Sequence, residues 1–131
     1  MFRLTGAGRI TGHRSLLISA GVGITPLRAL FETPPGETAL LYRARGPEDL
    51  ALRGELDAIA SQRGATVRYV LNGPHGERPV LTPEWLRAAY PGLPGHDVFL
   101  CGPRDFAQGV YAALRAAGVP DRRIHHESFE L

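Results

Sequence analysis

Short, almost wholly apolar runs alternate along this chain with longer stretches in which apolar residues recur three or four positions apart. The first run, "SLLISA" at 15–20, is closed by glycines and followed by "TPLRALFE", where Leu27, Leu30 and Phe31 fall at helical spacing. A short apolar run bounded by turn residues fits a strand buried on both faces. The second unit pairs the run "TALLYRA" with "GPEDLALRGELDAIASQRG". That stretch predicts one helix with Leu50, Leu52, Leu56, Ile59 and Ala60 inward, Pro47 in its first turn and Gly64 beyond its end. The third unit runs from "ATVRYVLN" through the Gly/Pro-rich "GPHGERPV" to a helix, "TPEWLRAAY", with Thr82 as cap and Pro83 at its first position. The fourth pairs "HDVFLCG" with "PRDFAQGVYAALRAAG", and "RRIHHESFEL" closes the chain as a terminal strand with a short tail.

Strands alternating with helices predict an α/β fold: a doubly wound, Rossmann-like parallel sheet of five strands, with helices on both faces in three layers. Residues 1–13, "MFRLTGAGRITGH", show neither period and read as a lead-in, leaving 14–131 as the folded domain. With 131 residues, 44 % hydrophobic and 21 % charged, the chain has the length and composition of one ordinary globular domain. No apolar run approaches the roughly 20 residues a membrane span needs, and the Met1 end lacks the apolar core of a secretory signal. The expectation is a cytoplasmic domain with no membrane contact of its own, or one at the cytoplasmic face of a membrane if a parent chain carries membrane helices. One cysteine, Cys101, excludes an intrachain disulfide and a Cys-based structural zinc site. All fifteen basic side chains are arginine, but the net charge is only +2 and they are scattered without interleaved aromatics, which argues against nucleic acid as a partner.

Ligands of open parallel sheets bind outside the carboxyl ends of the strands, so the loops after the strands carry the candidate chemistry. After the first strand come Gly21, Val22, Gly23, Ile24, Thr25 and Pro26. A dinucleotide fingerprint would have a third glycine where Pro26 stands. Thr25 and Pro26 instead form the cap and first position of a helix, whose free amides, approached over glycines, can receive a pyrophosphate. A capped strand-to-helix turn without a ligand would carry the same residues. After the second strand, Tyr42, Arg43 and Arg45 occupy the place where an NAD site usually sets a carboxylate for the ribose. Arginines there favour a 2′-phosphate, and hence NADPH over NADH, unless they are simply solvated.

The fourth strand ends in Cys101, Gly102 and Pro103. Gly102 allows close approach and Pro103 opens the next helix. The cysteine is either a small core residue or a side chain packed against a flat ring at the sheet's edge. If 124–129 is extended, His125, Glu127 and Phe129 share one face while His126 and Ser128 share the other, which is poor geometry for a metal.

Together, "GVGITP", "CGP" and the terminal "HHESF" resemble the nicotinamide-binding domain of the ferredoxin–NADP reductase superfamily, nearest to reductases of the ferric reductase and phenol hydroxylase reductase type. The likeness runs from Arg14 to Leu131. It implies that the loop through Gly21, Val22, Gly23, Ile24, Thr25 and Pro26 contacts the pyrophosphate and nicotinamide, and that Arg43 and Arg45 face the adenosine ribose or its phosphate. It further implies that Cys101, Gly102 and Pro103 lie beside the nicotinamide, Glu127 near the hydride-transfer centre and Phe129 near the flavin ring. Members carry a flavin-binding β-barrel with an Arg-x-Tyr/Phe-Ser/Thr motif that this chain lacks. The resemblance therefore implies half of an NAD(P)H-dependent flavin oxidoreductase, binding NADPH or NADH, with FAD or FMN on a barrel in a parent chain or separate subunit. The final electron acceptor would be set by those other parts. The alternative is a noncatalytic nucleotide-binding or regulatory module that keeps the sheet without redox function.

Overall fold

A computed structural model describes residues 14–21, 37–49, 53–78 and 80–129, the last three by their backbone. Five strands form one parallel sheet: β1 (Arg14–Ala20), β2 (Glu37–Ala44), β3 (Thr66–Leu71), β4 (Asp97–Pro103) and β5 (Ile124–Phe129). Their order is β3-β2-β1-β4-β5, so the chain winds outward from β1 through β2 to β3 and then crosses back to β4 on β1's other side. That reversal puts a topological switch point between β1 and β4, with Ser15 to Ser19 in register with Asp97 to Cys101. The central strand β1 is buried from its second residue onward, which explains its nearly unbroken apolar sequence.

Alternating side chains divide the core in two. One face sets Leu16, Ile18, Val98 and Leu100 against helices α2 (Pro83–Ala89) and α3 (Arg104–Ala116), through Leu86 and through Ala107, Val110 and Leu114. On the opposite face, Leu17, Leu40, Tyr42, Phe99 and Cys101 pack with Leu56 of α1 (Arg53–Arg63), flanked by Ile59 and Ala60. Helices therefore cover both faces in three layers, as the alternating pattern predicts. A crossover of fixed hand carries its helix to the opposite face when the winding direction reverses.

Two boundaries differ from the sequence reading. Pro47–Asp49 is a separate single turn of 3₁₀ helix, and α1 is described only from Arg53. Pro103 is the last residue of β4 and stands one position before α3 instead of opening it, with the extended ψ of 153°. The other end signals act as expected: the Thr82 hydroxyl accepts the Trp85 amide at 3.0 Å, with Pro83 in the first turn. The segment 22–36, with its expected helix, the inward Leu50 and Leu52, and the lead-in 1–13 lie outside the described residues.

Candidate functional site

The carboxyl ends of β1, β2 and β4 meet at the switch point. β1 ends at Ala20, and Gly21 follows with a φ of +59°, a conformation a side chain disfavours. Directly beneath, Tyr42 is 1 % exposed, with its hydroxyl 3.3 Å from the carbonyls of both Gly21 and Asp49. Tyr42 thus ties the glycine turn to the loop after β2. Among the expected binding residues it holds the backbone from below, its hydroxyl engaged with these carbonyls.

Successive strand residues point to opposite faces, so Arg43 emerges on the α2/α3 side. Its guanidinium donates to Asn72 Oδ1 at 3.2 Å and lies 5.8 Å from the centroid of the Phe106 ring. Partial burial, and secondarily the nearby Arg78 guanidinium, lowers the Arg43 pKa below its ordinary value. Both arginines border a cleft of about 240 Å³ floored by Phe106, Leu81 and Val110. Arg45 lies beyond the end of β2 and is exposed, and its carbonyl accepts the Asn72 amide at 3.3 Å. Asn72 therefore braces this strand end twice, once through its backbone and once through its side chain.

At the end of β4, a Cβ on Gly102 would fall 2.7 Å from Phe106 Cδ2 and 3.4 Å from the Ala20 Cβ. The close approach that this glycine permits is taken up by the Phe106 ring. Cys101 is 2 % exposed, within the cluster of Leu17, Tyr42 and Phe99, and its backbone is in register with Ser19 on one side and Glu127 on the other. Phe129 is in register with Pro103. His125 stacks on Phe99 at 4.9 Å, whereas His126 lies by Tyr111 at 5.6 Å, so the adjacent histidines part to opposite faces.

The structure thus brings Gly21, Tyr42, Arg43, Cys101, Gly102 and Pro103 to the carboxyl edge of three adjoining strands, with Glu127 and Phe129 on the next strand. Val22, Gly23, Ile24, Thr25 and Pro26 lie outside the described residues. Sequence reasoning missed Asn72, Arg78 and Phe106. Asn72 carried a usable signal, since it directly follows β3 and so belongs to the same edge.

A family model described as the oxidoreductase NAD-binding domain matches residues 17–112, most of the chain. The ferredoxin reductase component of 3-ketosteroid-9-alpha-monooxygenase from Mycolicibacterium smegmatis is 34 % identical over 121 residues, covering 88 % of this chain and 33 % of that protein. Among solved structures, a cytochrome P450 reductase from Amycolatopsis superposes with a TM-score of 0.78 at 28 % identity, over 98 % of this chain and 41 % of that one. A flavohemoglobin from Malassezia yamatoensis, solved with bound FAD and heme, superposes with a TM-score of 0.76 at 28 % identity, over 91 % and 32 %. The chain spans about a third of the length of the curated relatives it matches.

Proposed function

The chain belongs to the oxidoreductase NAD-binding domain family, and from that premise we propose that it presents the nicotinamide of NADPH or NADH to a flavin, FAD or FMN, held by another domain or subunit. The observation that carries this reading is the open backbone at the switch point, where Gly21, with its positive φ and open space at its Cβ position, follows β1 beside the adjoining strand β4. Ligands of doubly wound sheets sit at such a point. The residues fit a dinucleotide: Gly21 leaves open space where a Cβ would stand, and Arg43, in register with the preceding Ala20 on the adjoining strand, supplies a cation at the same edge.

In this reading the loop from Gly21 through Pro26 receives the pyrophosphate. Cys101, Gly102 and Pro103 flank the nicotinamide, Glu127 and Phe129 belong to the strand on the flavin side, and Arg43 and Arg45, at and just beyond the end of β2, favour NADPH. The bound nicotinamide supplies a hydride that the flavin accepts. The protein's part is to hold the donor in place and keep the two rings in register, which is where a cofactor enzyme makes its contribution. One relative is the ferredoxin reductase component of a monooxygenase and another was solved with bound FAD and heme, which supports an electron acceptor held outside this domain.

Calorimetric titration with NADPH and NADH tests the reading. Saturable binding below millimolar concentration is expected, and its absence for both nucleotides defeats it. With a flavin-loaded partner domain added anaerobically, NADPH should bleach the flavin absorbance. Binding without bleaching by any flavin domain would favour the noncatalytic module.

A further inference from the structure

Tyr42 sits in the apolar layer on the α1 face, packed with Leu17, Leu40, Leu56 and Phe99, and is 1 % exposed. A phenylalanine would fill that place with the same ring and bring no polar atom to satisfy. The hydroxyl is therefore a feature that core packing does not ask for. Ser19 shows what burial does to an oxygen on this face when nothing is in reach. It stands in register with Tyr42 on β1, and its hydroxyl has no hydrogen-bond partner among the described residues. Tyr42 avoids that cost because the length of its ring carries the oxygen to the carboxyl edge, 3.3 Å from the carbonyls of both Gly21 and Asp49.

Both carbonyls belong to residues open to solvent, where water would satisfy them as well. What the hydroxyl adds is a fixed relation between two loops. Its single proton is shared by a carbonyl of the turn after β1 and a carbonyl of the loop after β2. That second loop is a firm body. Asp49 donates its amide to the Gly46 carbonyl at 3.0 Å in the 3₁₀ turn Pro47–Asp49, and the Arg45 carbonyl accepts the Asn72 amide at 3.3 Å. Asn72 thus holds the loop from the β3 side, and Tyr42 ties it to the end of β1. The turn after β1 has the opposite character, since Gly21, at a φ of +59°, has no side chain of its own to anchor it.

We propose that Tyr42 is a positioning residue that sets the spacing of these two loops, and so governs ligands that span both while sparing those that touch one. The inference rests on the proposed function, in which the Gly21 loop receives the pyrophosphate and the loop after β2 the adenosine ribose. A dinucleotide joins those parts by bonds of fixed length, so its halves reinforce each other only where the receiving loops are held at a matching distance. A fragment confined to one loop is indifferent to that distance. Tyr42 acts from beneath through the two carbonyls, and the effect does not depend on the 2′-phosphate.

The test is calorimetry of the whole chain with NAD⁺, NADP⁺ and 2′-AMP, which carries the ribose phosphate without a pyrophosphate and is followed by its displacement of NADP⁺. Tyr42→Phe keeps the ring and removes the tie. It should weaken NAD⁺ and NADP⁺ alike, each about tenfold, and leave 2′-AMP within about twofold of the parent. Leu40→Val, fully buried in the same layer of the same strand, is the control. It should lower the urea midpoint while the ratio of NADP⁺ to 2′-AMP affinity stays within about twofold of the parent. Equal weakening of NADP⁺ and 2′-AMP in Tyr42→Phe, or unchanged affinity for all three ligands, would overturn the spacing role. So would a shift of that ratio in Leu40→Val as large as in Tyr42→Phe, because a loosened core alone would then suffice. If the unaltered chain binds none of the three, the functional reading fails and the spacing role with it.

Discussion

The two ends of the same sheet treat charge in opposite ways. At the amino end Arg14 pairs with Glu37 at 3.1 Å and donates to the Pro91 carbonyl at 3.3 Å. Asp97 stands 4.0 Å from Arg123 and 3.7 Å from His125, while His96 Nδ1 lies 3.0 Å from the Gly92 carbonyl. At the carboxyl end Arg43 and Arg78 have no carboxylate partner among the described residues, and the backbone is opened by Gly21. One end pairs its charged groups internally, and the other keeps cations without a carboxylate among the described residues. Exposed ion pairs contribute little to stability, so the contrast lies less in strength than in availability. Binding sites characteristically forgo internal satisfaction in this way.

The largest break in this contrast should come from Gly102→Val. Its Cβ would meet the Phe106 ring at 2.7 Å, and the ring would have to swing away from beneath Arg43. Overpacking of this kind costs about 1–3 kcal/mol, visible as a lower urea midpoint. The displaced ring should also weaken NADP⁺ binding. An unchanged midpoint with unchanged affinity would mean that Phe106 does not support the carboxyl edge.

A paired substitution sharpens the comparison at smaller scale. Arg14→Ala removes an exposed ion pair and should lower stability by about 0.2–1 kcal/mol without altering nucleotide binding. Arg43→Ala removes a cation beside another cation, along with its bond to Asn72 and its contact with Phe106. These losses and the relieved repulsion oppose each other, so stability should change less than in Arg14→Ala, whereas NADP⁺ affinity should fall. Urea denaturation and calorimetry on both variants decide it. A larger stability loss in Arg43→Ala would show that this arginine serves the fold first.

Much of this was readable before any coordinates. The apolar runs place β1, β2 and β4, since a strand buried on both faces must be apolar at nearly every position, whereas the edge strands β3 and β5 carry polar residues among their apolar ones. Thr82-Pro83 marks the start of α2 by a local rule that packing does not override. Arg43 and Arg45 stand together in sequence where a dinucleotide site meets the ribose. β2 ends at Ala44, however, so Arg43 belongs to the strand and Arg45 lies beyond it. The partner that borders the cleft with Arg43 is Arg78, distant in sequence and near only because β2 and β3 adjoin. Phe106 was invisible for a similar reason: nothing local says that its ring fills the place of Gly102's absent Cβ. Tyr42 alternates to the face opposite Arg43, where its hydroxyl meets the Gly21 carbonyl. That contact depends on which strand lies beside β2, which spacing does not reveal.

The smallest effect belongs to the amino end and follows from His96. The side chain is buried at the end of a single 3₁₀ turn, and burial lowers its pKa below the ordinary 6.5, with Arg14 adding to the shift and its hydrogen bond to the Gly92 carbonyl opposing it. The folded chain therefore resists protonation more than the unfolded chain does. As pH falls below the unfolded value, the unfolded state takes up the proton first and stability drops. The contribution of neutral His96 is complete above that value and is lost as pH falls through its lower folded value. His96→Gln keeps a donor for the Gly92 carbonyl and removes the titration. Between about pH 8 and about pH 5 the parent should therefore lose more melting temperature than the variant. Nucleotide discrimination should be the same in both, because His96 sits at the end of the sheet remote from Arg43 and Arg78. If the two proteins lose melting temperature equally, the acid sensitivity of this end resides in other groups. If His96→Gln instead shifts the NADP⁺ to NAD⁺ ratio, the two ends are coupled through the sheet.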